Sequence, residues 1–138
     1  MATIGAWRKG CRIGLSVFYG VAGLLHLVLQ EPFLRITPQW VPHPEAVILL
    51  TGICEIAGAV ALFVPALRIY AGVALALYAV CVYPANIKHA IDTLSIDSAS
   101  VWLWSYHVVR LPLQPVIVWL ALFTGGAVSW PFGKPPPH

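Results

Sequence analysis

The run AVILLTGICEIAGAVALFV, from Ala46 to Val64, is nineteen residues of almost unbroken hydrocarbon with one carboxyl group, Glu55, at its middle. A stretch of about 20 apolar residues matches the roughly 30 Å hydrocarbon thickness of a bilayer. An acidic side chain at that depth costs on the order of 2.5–3.5 kcal/mol on insertion scales. Some other part of the chain must offset that cost. The groups able to reach Glu55 therefore organise the reading of the rest.

The composition agrees with a membrane solvent. The chain of 138 residues is 59% hydrophobic and 9% charged, whereas soluble domains carry roughly 25% charged residues. A soluble helical protein would need a polar stripe on each helix, and the long apolar runs have none. The net charge of +3 is spread thinly, and no basic patch interleaved with aromatics argues for nucleic acid. Cys11, Cys54 and Cys81 form no CxxC and no zinc-ligand spacing. Two of them fall inside the apolar runs, where a thiol acts as a small apolar filler.

Four spans follow, at 13–30, 46–64, 69–86 and 108–128, in one membrane domain covering 1–138, with a short proline-rich tail over 129–138. The basic head before the first span resembles a signal peptide. Its apolar run is longer than an ordinary h-region, however, and lacks an A-x-A-like cleavage site, which predicts a retained helix. Gly20 and Gly23 lie at i, i+3 on it and predict close approach of a neighbour. Between the first two spans, EPFLRITPQWVPHPE (Glu31 to Glu45) has Pro32, Pro38, Pro42 and Pro44, which exclude a long helix. Its Phe33, Ile36, Trp40 and Val41 suit an interfacial loop or a lid over the bundle. Pro84 interrupts the end of the third span, and the last helix begins near Val101 ahead of its spanning part. Arg8, Lys9, Arg12, Arg68 and Lys134 fall on one side, and Arg35, Lys88 and Arg110 on the other. That bias predicts a multi-pass protein with both termini cytoplasmic.

At about 1.5 Å per residue, His26 lies roughly 6 Å inside the outer end of its span and Glu55 roughly 14 Å inside its own. Asn86 and His89 close the third span. His107, Arg110 and Gln114, at i, i+3 and i+7, share one helix face near the start of the fourth. The inner half is nearly all aliphatic. This asymmetry predicts a polar pocket opening to the non-cytoplasmic side and floored by Glu55, since intramembrane ionisable groups face a bundle interior or a wet cavity. In that pocket Glu55 and His26 are the candidate proton-exchanging pair. Asn86, His89, His107, Arg110 and Gln114 are the candidate ligand-binding groups, with Arg110 turned inward to Glu55 or to a ligand acid. Each has a blander role available. Glu55 could be a protonated carboxyl bonded across the bundle, His26 a satisfied core histidine, Arg110 a snorkelling side chain, and His89 and His107 loop residues near water. The spacings form no recognisable ligand motif and Arg110 would oppose a cation, so no metal is expected.

These residues carry a resemblance. The string from His26 through PFLRITPQWVP to TGICEIAGAVALFVP, then YPANIKHA and HVVRLPLQ, resembles the DoxX-like membrane proteins, from about Gly20 to Trp119. The resemblance implies a four-helix bundle in the cytoplasmic membrane of a bacterium or archaeon, associated with redox systems. The family's founding name belongs to a subunit linked to thiosulfate oxidation with quinone as acceptor. Its matching positions are His26, Glu55, Pro84, Asn86, Arg110, Pro112 and Gln114. Relatives coupled to thiol chemistry carry paired cysteines, which this chain lacks.

The first functional expectation is thus a pocket holding the polar head of a lipophilic molecule such as a quinone, with a membrane redox complex or a second copy as partner. The chain has no haem-binding, flavin or cluster-binding motif, so any electron carrier would be diffusible or supplied by a partner. Two alternatives stand beside it: acid–base catalysis on a lipid-like substrate, and a structural subunit whose polar core fixes helix register.

Overall fold

The computed structural model describes residues 3–96 and 100–133. Asp97, Lys134 and the end of the tail lie outside the described residues. The chain is all-helical, in the order α1 (Ile4–Val28), α2 (Gln30–Ile36), α3 (Pro44–Ala61), α4 (Arg68–Leu94) and α5 (Val101–Gly125). Every helix except α2 is long and apolar enough to cross a membrane.

Local chemistry sets the ends of the helices. Thr3 caps α1 by accepting from the Ala6 N–H, so the helix takes in the whole basic head. Ser100 caps α5 through the Leu103 N–H and starts that helix at Val101, where the sequence predicts it. Gly126, at φ +92°, ends it in a left-handed turn that closes back onto the carbonyls of Leu122 and Phe123. Pro44 opens α3 at a position where no N–H is needed. Helix α4 passes through Pro84 to Leu94, and α5 passes through Pro112 and Pro115. An interior proline removes one ladder bond from its helix, and packed neighbours inside a membrane bundle tolerate that loss. The connector between α1 and α3 forms the single short helix α2 and then turns, as its prolines require.

The four long helices form two pairs, α1 against α3 and α4 against α5, with fewer contacts between the pairs. Glycines make the tight pairing possible. A Cβ at Gly23 would stand 2.6 Å from the Gly52 carbonyl oxygen, and one at Gly72 would stand 2.6 Å from that of Ala121. A Cβ at Gly20 would meet nothing within 4 Å, so of the expected glycine pair it is Gly23 whose missing side chain the packing requires.

The pairs meet in one half of the bundle, where Leu15, Tyr19, Ala59, Leu62, Leu75, Ala79, Ile117 and Ala121 form the dry core. At that end three guanidinium groups bond to backbone carbonyls near helix C-termini. Arg12 donates to the Thr124 carbonyl at 3.0 Å, Arg8 to that of Val128 at 2.9 Å, and Arg68 to that of Leu62 at 3.0 Å. Positive charge there complements the helix dipoles and satisfies carbonyls that lack an intrahelical donor. In the other half the pairs stand apart around a cavity.

Gly23→Val should therefore cost about 1–3 kcal/mol, as overpacking of a tight contact does. Thermal unfolding in one detergent checks this, with Gly20→Val expected to leave the midpoint nearly unchanged.

Candidate functional site

The cavity has a volume of about 980 Å³ and is lined by residues of all five helices and of the α2–α3 connector. Ligand cavities run from about 300 to 1,000 Å³, so this one is large enough for a ring with an attached chain. Most of the lining is aliphatic or aromatic: Phe33, Trp40, Val47, Tyr78, Trp102 and Ile117 among others. Two polar clusters stand out against it, and they belong to different helix pairs.

The first cluster is on the α1–α3 wall. His26 Nδ1 lies 2.6 Å from Glu55 Oε2. Glu55 is 3% exposed, and its cost of burial is met by this short, charge-assisted contact. The approach of Gly23 to Gly52 brings the two side chains together. Phe33 of α2 packs on the imidazole at a ring separation of 4.1 Å, which fixes its plane. Tyr78, from the opposite wall, sits beside Glu55 and Thr51.

The second cluster is on the α4–α5 wall. Arg110 donates to Asn86 Oδ1 at 2.5 Å, and its other terminal nitrogen lies 3.1 Å from His89 Nδ1. Asn86 donates to Gln114 Oε1 at 3.3 Å, and Gln114 donates to the Ala79 carbonyl at 2.7 Å. The chain of bonds thus runs from backbone to guanidinium, and each side chain is held by the next. Tyr106 lies under the guanidinium, 5.4 Å from its centre.

Of the seven residues singled out from the sequence, six line the cavity: His26, Glu55, Asn86, His89, Arg110 and Gln114. His107 does not. It is 1% exposed, packs edge-on to His89 and Tyr106 at ring separations of 4.9 Å, and neither ring nitrogen has a hydrogen-bond partner. The lining face of α5 runs through Trp102, Ser105, Tyr106, Val109, Arg110 and Leu113, and His107 lies to the side of it, turned against His89 of α4. Arg110 turns inward as expected, and its partners are Asn86 and His89 on its own wall, while Glu55 on the facing wall is engaged by His26.

Phe33, Thr51, Tyr78 and Tyr106 were missed. A signal existed for two of them. Thr51 is one turn before Glu55 on α3, and Tyr78 is about three turns before His89 on α4, so each shares a face with a residue already chosen. The sequence places Phe33 only in an apolar connector suited to an interfacial loop or a lid, and nothing in it distinguishes Tyr106 from the other aromatics.

Among the described residues no group of three His, Cys, Asp or Glu side chains is placed to hold a metal ion. All three cysteines are unbridged; Cys54 and Cys81 are exposed, and Cys81 lines the cavity.

A family model described as "Domain of unknown function (DUF8561)" matches residues 15–124. The chain belongs to that family. The matched region of this DUF8561 protein begins at the first core residue of α1 and ends one residue short of the end of α5, so it contains both polar clusters and the whole cavity. No curated protein and no solved structure matches the chain.

Breaking a buried pair by removing one partner costs about 3–5 kcal/mol. His26→Ala should destabilise the protein by that order, and adding Glu55→Leu should recover part of the loss. A double-mutant cycle on unfolding free energies checks the coupling.

Proposed function

We propose that this chain binds the polar head of a lipophilic small molecule, of quinone-like character, in the cavity between its two helix pairs. The observation that carries the reading is the placement of two unlike polar clusters on facing walls of one otherwise apolar cavity. On this reading Arg110, Asn86 and Gln114 orient carbonyl or hydroxyl oxygens of the head, and the His26–Glu55 pair takes up or delivers protons. Carboxylate–histidine pairs are a recurrent means of moving protons within membranes. The aliphatic and aromatic lining receives the tail.

The resemblance to DoxX-like proteins is part of the same proposal. It adds a redox-associated setting, a quinone as the diffusible carrier, and a membrane redox complex or a second copy of the chain as partner. The proposed location is the cytoplasmic membrane with both termini on the cytoplasmic side. Support for that orientation comes from Arg8, Lys9, Arg12 and Arg68 gathering at the end away from the cavity.

One observation favours a second reading. An imidazole 2.6 Å from a buried carboxyl, with a tyrosine beside it, is also the equipment of a general acid–base enzyme acting on a lipid-like substrate. Turnover of a neutral lipid without an electron acceptor would select that reading.

Binding of decyl-benzoquinone to the purified protein, followed by native mass spectrometry, tests the first. A bound adduct should be seen with the wild type. Losing a hydrogen bond to a charged group costs about 1.5–3 kcal/mol, so Arg110→Ala should weaken binding by roughly 10–100-fold. Absence of any adduct with wild type would end the quinone reading.

A further inference from the structure

We infer that the molecule taken up by the cavity carries a singly charged acidic head, a carboxylate or an equally acidic hydroxyl, and that Arg110 receives it. This inference rests on the ligand-binding reading above and narrows its chemistry from neutral to anionic.

The charge inventory of the cavity supports it. A guanidinium stays protonated and has five N–H donors. Two of Arg110's are directed at Asn86 Oδ1 and His89 Nδ1, which leaves three without a partner among the described residues. Neither partner is an anion. Glu55 is engaged by His26, Glu31 by Arg35 and Asp92 by Lys88. Glu45 is exposed at the start of α3. Among the described residues, then, no carboxylate lies within ion-pair distance of Arg110. A half-buried guanidinium in an apolar wall with no counter-charge is costly, and a ligand oxyanion would remove that cost.

Geometry narrows the head further. Arg110 is the only lysine or arginine among the lining residues, so a second negative charge would meet no cation. Asn86 and His89 hold the guanidinium from the α4 side, and Tyr106 packs against its face. Its free edge can therefore present paired donors to two oxygens, the arrangement that suits a carboxylate. The aromatic and aliphatic lining then favours a hydrocarbon body over a sugar or a peptide. A fatty acid and a ring with an acidic hydroxyl share this chemistry.

Equilibrium binding to the full chain in phosphatidylcholine nanodiscs tests the inference. The probes are radiolabelled dodecanoate and dodecanol, with empty discs subtracted and decyl-benzoquinone as the neutral reference. Dodecanoate should bind at least about tenfold tighter than dodecanol, a difference of about 1.4 kcal/mol. Arg110→Gln should erase the difference, whereas Arg110→Lys should keep part of it. If Arg110→Gln does not fold, the wild-type preference and the ability of dodecanoate to displace decyl-benzoquinone decide the matter. Equal binding of acid and alcohol, with decyl-benzoquinone still bound, would overturn the acidic head and leave the ligand-binding reading intact. A preference that survives in Arg110→Gln would equally overturn the assignment to Arg110. If none of the three probes binds, both readings fall together.

Discussion

The contact on which the rest depends is backbone against backbone, where Gly23 of α1 meets Gly52 of α3. Without side chains at those two positions the helices come close enough for His26 to reach Glu55. The carboxyl group is then satisfied within its own helix pair. Because α1 and α3 pair that carboxyl between themselves, its approach to the other helix pair is through the Tyr78 side chain of α4. The other pair can stand away from it, and the space between them is the cavity.

The same division explains why the bundle has a dry half and a polar half. Small residues and aliphatics close the core near the arginine end, and guanidinium groups tie α1 to the carbonyls of α5 there. In the polar half, among the described residues, no hydrogen bond links Glu55 to Arg110 across the gap. Each cluster is instead braced from behind: His26 by Phe33, and Arg110 by Asn86, His89 and Tyr106. Groups braced in this way keep their orientation without closing the space between them, and that pre-organisation suits a binding site.

Much of this was legible in the residues. Glu55 in the middle of an apolar run, with imidazoles, an arginine and two amides all toward one end of their helices, gave the location of the cavity. Depth along a helix is readable because the rise per residue is fixed. Direction around it was less so. His107 shared a face with Arg110 but is sealed against His89, and Gly20 shared a face with Gly23 but has open space where a side chain would stand. A shift of one turn or a fraction of one decides such cases, and that depends on how neighbouring helices are set. Which partner Arg110 would choose was similarly hidden. Two acceptors compete for it, and only the distance between the pairs settles the outcome.

The brevity of α3 has a consequence for the surrounding lipid. With 18 residues against 25 to 27 in its long neighbours, it is about 27 Å long where they approach 37 to 40 Å. It barely matches the hydrocarbon thickness of an ordinary bilayer, while the others project into the headgroup region. The missing height lies on the flank where α2 and the proline-rich connector cover the side of the cavity. Acyl chains meeting that flank encounter a lower wall than elsewhere around the protein. A leaflet of ordinary thickness would have to thin or tilt to match that flank.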